Sequence, residues 1–245
     1  MNWRLVAIVG SVLAGMSTLT AAEEGKIRVL LTVGGHAFEE QPFYAMFDAM
    51  ADVEYKKIVM PKEADLLKPG LEKDYDCIVM YDMNPGLTPE QQANFARLAQ
   101  SGIGIVSMHH NMGANRDWPE YCKIIGGKFV FENMEIDGQQ YKPSTWSHGE
   151  TLKVTVVDKQ HSITQGVEDF EIHDETYGGY YTSADAKVLL KTDHPKNDPE
   201  LAWVTQYGKS RVFYFMLGHD GLAYGNPSFR KVLHQGIRWA AEGAK

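Results

Sequence analysis

Apolar residues fall into short β-type runs along the first half of the chain, separated by segments with helical spacing. The run at 27–33 ends at Gly34-Gly35. Phe43, Phe47 and Met50 then mark one face of a helix predicted over about 40–51. Residues 53–60 read as a second strand and 63–67 as a short helical turn. Residues 75–81 form a third strand, closed by Asn84-Pro85-Gly86. Thr88, with Gln91 three residues on, makes a capping box for a helix running through Leu98. Residues 102–108 supply a fourth strand. Alternation of this kind predicts an α/β fold with a mostly parallel, doubly wound sheet and right-handed crossovers.

The second half is less regular. Residues 126–141 are polar and glycine-bearing, which suits a hairpin or an irregular insert. Residues 152–157 alternate as a strand, and 187–191, 201–206 and 211–217 give three more, the last two joined by a tight turn at 207–210. Gly218 ends the final run. A helix resumes after Asn226-Pro227, with Phe229, Val232, Leu233, Gly236, Ile237 and Ala240 at helical spacing. No linker or repeat interrupts the pattern.

The first apolar stretch has a different meaning. Arg4 precedes a nearly unbroken apolar segment at 5–15, and Thr20-Ala21-Ala22 offers small residues for cleavage. This is a secretory leader, too short and wrongly flanked for a spanning helix. Residues 1–22 are therefore expected to be removed, leaving 23–245 as one domain in the periplasm or outside the cell. No other apolar run approaches the ~18 residues of a membrane span. The formal charge of −8 comes without Lys/Arg clusters, which argues against nucleic-acid binding and suits a small, neutral or weakly charged substrate. Cys77 and Cys122 lie in an apolar run and a predicted helix, and are expected as two separate buried thiols.

Four of the nine histidines follow predicted strands: His36, His109, His110 and His219. In a parallel sheet such positions converge on one edge, where ligands bind. Imidazoles there can ligate a metal or move protons near neutral pH. His148 lies among polar residues beside Trp146. The stretch FEIHDETYGGYY groups His173, Asp174 and Glu175 next to aromatics, as an acidic turn or part of a sugar site. His161 reads as structural. Dinucleotide, phosphate-loop, serine-elbow and HExxH signatures are all missing, so any metal site must assemble from distant segments.

The segments VLLTVGGHAFE, GIGIVSMHH, HSITQGVEDFEIHDETY and AWVTQYGKSRVFYFMLGHD, followed by NPSFRKVLHQGIRWAA, span nearly the whole mature chain. With them the chain resembles the trehalose-utilisation (ThuA-like) family of class I glutamine amidotransferase-like folds. The resemblance implies a flavodoxin-like sheet with flanking helices. True glutamine amidotransferases carry a cysteine at the turn after the fourth strand. His109-His110 stand there here, so thioester chemistry has no nucleophile.

The family's context, bacterial catabolism of trehalose and related glycosides beside dehydrogenases that make 3-keto sugars, implies an enzyme acting on glycosides or 3-keto-glycosides. Elimination, hydrolysis or isomerisation would each fit, and a non-catalytic sugar-binding module is the alternative. Carried over by position, His36, His110, His148, Glu175 and His219 would form the site. His110 and His219 are the preferred ligands of a divalent metal (Zn, Mn, Ni or Fe), with His148 as a further candidate. Glu175 would be base or further ligand, and His148 and His36 would be catalytic. Asp220 would orient His219 and help bind substrate, with Trp146, Tyr177 and Tyr224 facing the sugar. The expected partner is a small carbohydrate, without nucleotide cofactor, nucleic acid or, once the leader is gone, membrane. Homo-oligomer formation is left open.

Overall fold

A computed structural model describes residues 25–243, and the expected leader at 1–22 lies outside the described residues. The parallel half comes first: β1 (Ile27–Gly34), α1 (Glu40–Asp48), β2 (Val53–Val59), β3 (Cys77–Asp82), α2 (Pro89–Ser101) and β4 (Gly104–Met108). Every residue of β3 and β4 is buried, which is why both read as continuous apolar runs rather than alternating ones. The capping box of α2 is formed, Thr88 Oγ1 accepting from Gln91 N–H at 3.3 Å and Gln91 Oε1 from Thr88 N–H at 3.0 Å.

After β4 come α3 (Pro119–Ile125), a two-residue β5 (Gly127–Lys128) and the small hairpin β6 (Met134–Ile136) and β7 (Gln139–Tyr141) inside the expected insert. There follow β8 (Thr145–Val156), β9 (Phe170–Gly178), a two-residue β10 (Tyr181–Thr182), β11 (Lys187–Lys191), β12 (Glu200–Tyr207) and β13 (Ser210–Phe215). The chain closes with α4 (Gly221–Gly225) and α5 (Pro227–Glu242). Two expectations shift. The strand expected at 152–157 is the second half of the twelve-residue β8, and the acidic segment around Glu175 is itself a strand, β9.

Nine strands make one sheet in the order β2-β1-β3-β4-β13-β12-β11-β8-β9. The four pairings from β2 to β13 are parallel, and the four from β13 to β9 are antiparallel. The doubly wound half is thus extended by an antiparallel half of equal size.

Side chains alternate across β13 and sort its two faces. Phe215 stacks on Phe229 of α5, and Gly236 lets that helix close onto Phe213. Tyr214, facing the other way, stacks on Trp203, whose indole N–H donates to Ile125 O at the end of α3. Burial of α5's apolar stripe (Phe229, Val232, Leu233, Ile237) contributes roughly 1.5–3 kcal/mol per side chain. Cys77 and Cys122 are both buried and free, as expected.

Candidate active site

The turn after β4 organises the site. His109 enters a one-turn 3-10 segment, His109–Gly113, at φ +50°. Left-handed backbone at a non-glycine residue costs about 1 kcal/mol and persists only where the surroundings hold it. Here Tyr214 Oη donates to His109 O at 2.9 Å. Asn111 is fixed at three points. Its Nδ2 donates to Asp82 O at 2.7 Å, and its Oδ1 accepts from Ser107 Oγ at 2.7 Å and Tyr121 Oη at 2.6 Å. The turn sends the two neighbouring imidazoles apart, their rings 74° from parallel.

His109 is fully buried, and its Nδ1 lies 2.7 Å from Met216 O. A carbonyl only accepts, so Nδ1 carries the hydrogen and Nε2 of the neutral ring presents a lone pair. That Nε2 lies 3.0 Å from Glu175 Oε2, 3.2 Å from His219 Nδ1 and 3.1 Å from Tyr177 Oη. His219 Nδ1 is in turn 3.3 Å from Glu175 Oε2.

One carboxylate and two imidazole atoms therefore converge within 4.8 Å. Metal–ligand bonds of about 2.1 Å place neighbouring ligand atoms ~3.0–3.4 Å apart, so the observed spacings fit a three-ligand site. Burial pushes the Glu175 carboxyl up, but the His109 and His219 imidazoles beside it outweigh burial and hold the group well below the usual carboxylate range. The same contact raises the pKa of His219.

His148 reaches this cluster through a β-bulge. In the β8–β9 register Ser147 faces Thr176 and Glu150 faces Asp174, so His148 and Gly149 together oppose Glu175. Bulges re-aim side chains. This one sets His148 Nδ1 3.2 Å from Glu175 Oε1, with the His148 side chain still 52% exposed.

Asp174, on the opposite side of β9, pins the loop that carries His219. Its carboxylate accepts from Gly218 N–H at 2.7 Å, His219 N–H at 2.9 Å and Glu175 N–H at 2.8 Å. Burial raises its pKa. Gly218, at φ +114°, completes the turn, and a Cβ there would lie 2.9 Å from the Phe229 ring.

Glu175, His36, His110, His148, Tyr177 and Trp146 line one cleft of about 230 Å³, with Phe129 and Phe131 completing its aromatic wall. This is room for a small molecule, on the order of eight water volumes. A larger cavity of about 1000 Å³ lies beyond Phe131, but its lining contains none of the histidines or Glu175. The chemistry therefore belongs to the smaller cleft.

Three expected roles change. His110 is not in the ligand cluster: its Nε2 donates to Tyr81 O at 3.0 Å, burial lowers its pKa far below the usual value, and His109 takes the expected place. His36 lines the same cleft as Glu175, as expected, and stacks on His110 with ring centroids 4.5 Å apart. Asp220 caps α4 through Leu222 and Ala223 N–H, and Asp174 holds His219 in its stead. Tyr224 is fully buried behind the site, its hydroxyl 2.7 Å from Tyr81 Oη, and does not face the cleft. Tyr177 lines the cleft and Trp146 stands at its rim, 60% exposed. His109 follows β4 more directly than His110 does, which was a usable signal. Asp174 had none beyond its place beside Glu175.

A family model described as trehalose utilisation (ThuA) matches residues 28–240. Among solved structures, a ThuA-like protein from Parabacteroides merdae is 20% identical, with a TM-score of 0.73 over 89% of this chain and 91% of that one. A ThuA-like protein from Bacteroides uniformis is 18% identical, with a TM-score of 0.68 over 91% and 95% of the two chains. A glutamine amidotransferase from Thermotoga maritima is 10% identical, with a TM-score of 0.52 over 88% and 98%. At these identities the likeness is one of fold. No curated protein matches the chain.

Proposed function

This chain belongs to the ThuA trehalose-utilisation family, and from that membership and the cluster around Glu175 we propose that it is an exported, metal-assisted enzyme acting on glycosides or 3-keto-glycosides. One observation carries the reading: a single buried carboxylate meets three imidazoles, His109, His148 and His219, at 3.0–3.3 Å. Titratable groups concentrated in a cleft suit acid–base chemistry better than simple binding.

His109 Nε2, His219 Nδ1 and Glu175 Oε2 would hold a divalent cation, which supplies an electrophile for an enediolate when bound. The remaining steps fall to side chains. A 3-keto group acidifies the neighbouring C2–H. Glu175 Oε1 holds His148 Nδ1–H, which leaves Nε2 of the neutral ring as the base that takes the C2 proton. The C2–H electrons form the C1–C2 double bond as the C1–O bond breaks. The His148 imidazolium, stabilised by Glu175, returns the proton to the departing oxygen. Isomerisation would begin with the same proton transfer.

The test is elemental analysis of the untagged chain 23–245, followed by assay on 3-keto-glucosides. Near one divalent ion per chain is expected, lost in His219→Ala. Glu175→Gln is expected to cut turnover by about 10³-fold with the fold intact. A protein that takes up no ion and turns over no keto sugar would sink the proposal. Sugar binding without turnover would make the cleft a binding module.

A further inference from the structure

Glu175 and Tyr177 are two residues apart on β9, so the period of a strand sends both to one face, and both line the cleft. The backbone of Tyr177 is fixed on either side. Its N–H donates to Asn197 Oδ1 at 2.7 Å, and its carbonyl accepts from Asp198 N–H at 2.9 Å. The ring is held as well. It stacks on His109 with centroids 5.1 Å apart, and Phe129 packs edge-on against it at 5.3 Å. The hydroxyl is therefore in place before a ligand arrives, the condition under which a donor stabilises developing charge at least cost.

That hydroxyl already has a use. His109 Nε2 carries one lone pair, because Nδ1–H is committed to Met216 O. Three groups face it: Glu175 Oε2 at 3.0 Å, His219 Nδ1 at 3.2 Å and Tyr177 Oη at 3.1 Å. The carboxylate only accepts, and His219 Nδ1–H is drawn to that carboxylate, 3.3 Å away. The phenol is the remaining donor, so its hydrogen rests on His109 Nε2.

This lone pair is the one a cation at the site would take. Glu175 Oε2 would be taken with it, and Glu175 Oε1 is held by His148. The Tyr177 hydrogen then has no acceptor in the cluster and is free for an oxygen of the ligand. Other hydrogens in the lining are committed or distant. His36 Nδ1 lies 2.7 Å from Ala37 O, His110 Nε2 donates to Tyr81 O, and the Trp146 indole stands at the rim.

We propose that Tyr177 is a further catalytic residue, whose hydroxyl donates to the substrate oxygen on which negative charge develops. The inference rests on the metal-assisted reading of this cleft. A hydrogen bond to a charged oxygen is about twice as strong as one to a neutral oxygen, so the phenol favours the enediolate over the ketone. It keeps its own hydrogen throughout.

Calorimetric titration of the chain 23–245 with zinc, and of the zinc form with acetohydroxamate, a planar oxyanion that imitates an enediolate, tests this. Tyr177→Phe keeps the ring and its two aromatic contacts. It is expected to bind zinc within about threefold of the unmutated protein, whereas loss of a ligand or of its support costs at least about tenfold. Its zinc form is expected to bind acetohydroxamate at least about tenfold more weakly. Should that variant unfold, 3-fluorotyrosine in place of Tyr177, a stronger donor of nearly the same shape, is expected to tighten hydroxamate binding, and no change would overturn the proposal. Unchanged hydroxamate affinity in Tyr177→Phe, or a zinc form that binds no hydroxamate, overturns it and leaves the metal reading standing. A tenfold loss of zinc affinity overturns it too, since Tyr177 would then be a ligand. A protein that takes up no zinc sinks the metal reading and this inference together.

Discussion

His109 and His110 are adjacent and chemically identical, yet only one meets Glu175. Their divergence depends on a φ of +50° at His109, enforced by Tyr214 and by the Asn111 network beneath the turn. Neither clamp is visible in the local sequence, so the sequence places a histidine at the site without saying which. Asp82, at the base of that network, carries a separate expectation. It is buried between Thr32 Oγ1 and Asn84 Nδ2, and burial raises its pKa against the pull of those two donors. The folded chain therefore holds this proton more tightly than the unfolded chain. Its contribution to stability is full below the ordinary carboxylate range and is lost as pH rises through the folded value. Asp82→Asn keeps the shape and an acceptor for Thr32 but cannot ionise. Thermal melts should show it more stable than the unmutated protein at pH 8, by roughly 2–4 °C, with no gain at pH 4. A lower melting temperature at pH 8 would mean that the ionised carboxylate is a net asset.

β1, β3 and β4 were legible because they are buried almost throughout and so read as continuous apolar runs. β9 was not, since His173, Asp174 and Glu175 in succession hide the period of a strand. It is a strand because the two carboxylates, on opposite faces, each find donors: three backbone N–H groups for Asp174 and the His148 and His219 rings for Glu175. The bulge that aims His148 was equally hidden, because it exists only in the pairing of β8 with β9. α5 shows the opposite case, a helix whose sequence pattern was complete and whose one odd residue has a packing cause. Gly236 costs the helix about 1 kcal/mol relative to alanine. A Cβ there would lie 2.4 Å from the Phe213 ring. Gly236→Ala gains the helical preference but pushes α5 off β13, an overpacking cost of ~1–3 kcal/mol. Net destabilisation of about 1 kcal/mol is expected in a denaturant titration. A stabilised variant would show that Phe213 yields at no cost.

At the scale of the molecule, the site straddles the two halves of the sheet. His109 and His219 come from the parallel half, Glu175 and His148 from the antiparallel hairpin at its far edge. One apolar core runs through both, from Val29 of β1 to Ala241 of α5, and β13 joins them by pairing with β4 on one side and β12 on the other. Nothing in this arrangement lets the hairpin carrying Glu175 melt alone without exposing core residues such as Leu152, Val154 and Ile172. Scanning calorimetry should therefore give one transition, with equal calorimetric and van't Hoff enthalpies near roughly 150 kcal/mol for a chain of this size. A divalent ion at 100 times its dissociation constant should add about 2.7 kcal/mol. In a single unit, that moves the whole peak upward by roughly 5–10 °C without splitting it. A peak that splits on adding the ion would show that the proposed ligands on β9 and in the loop after β13 belong to parts that unfold separately.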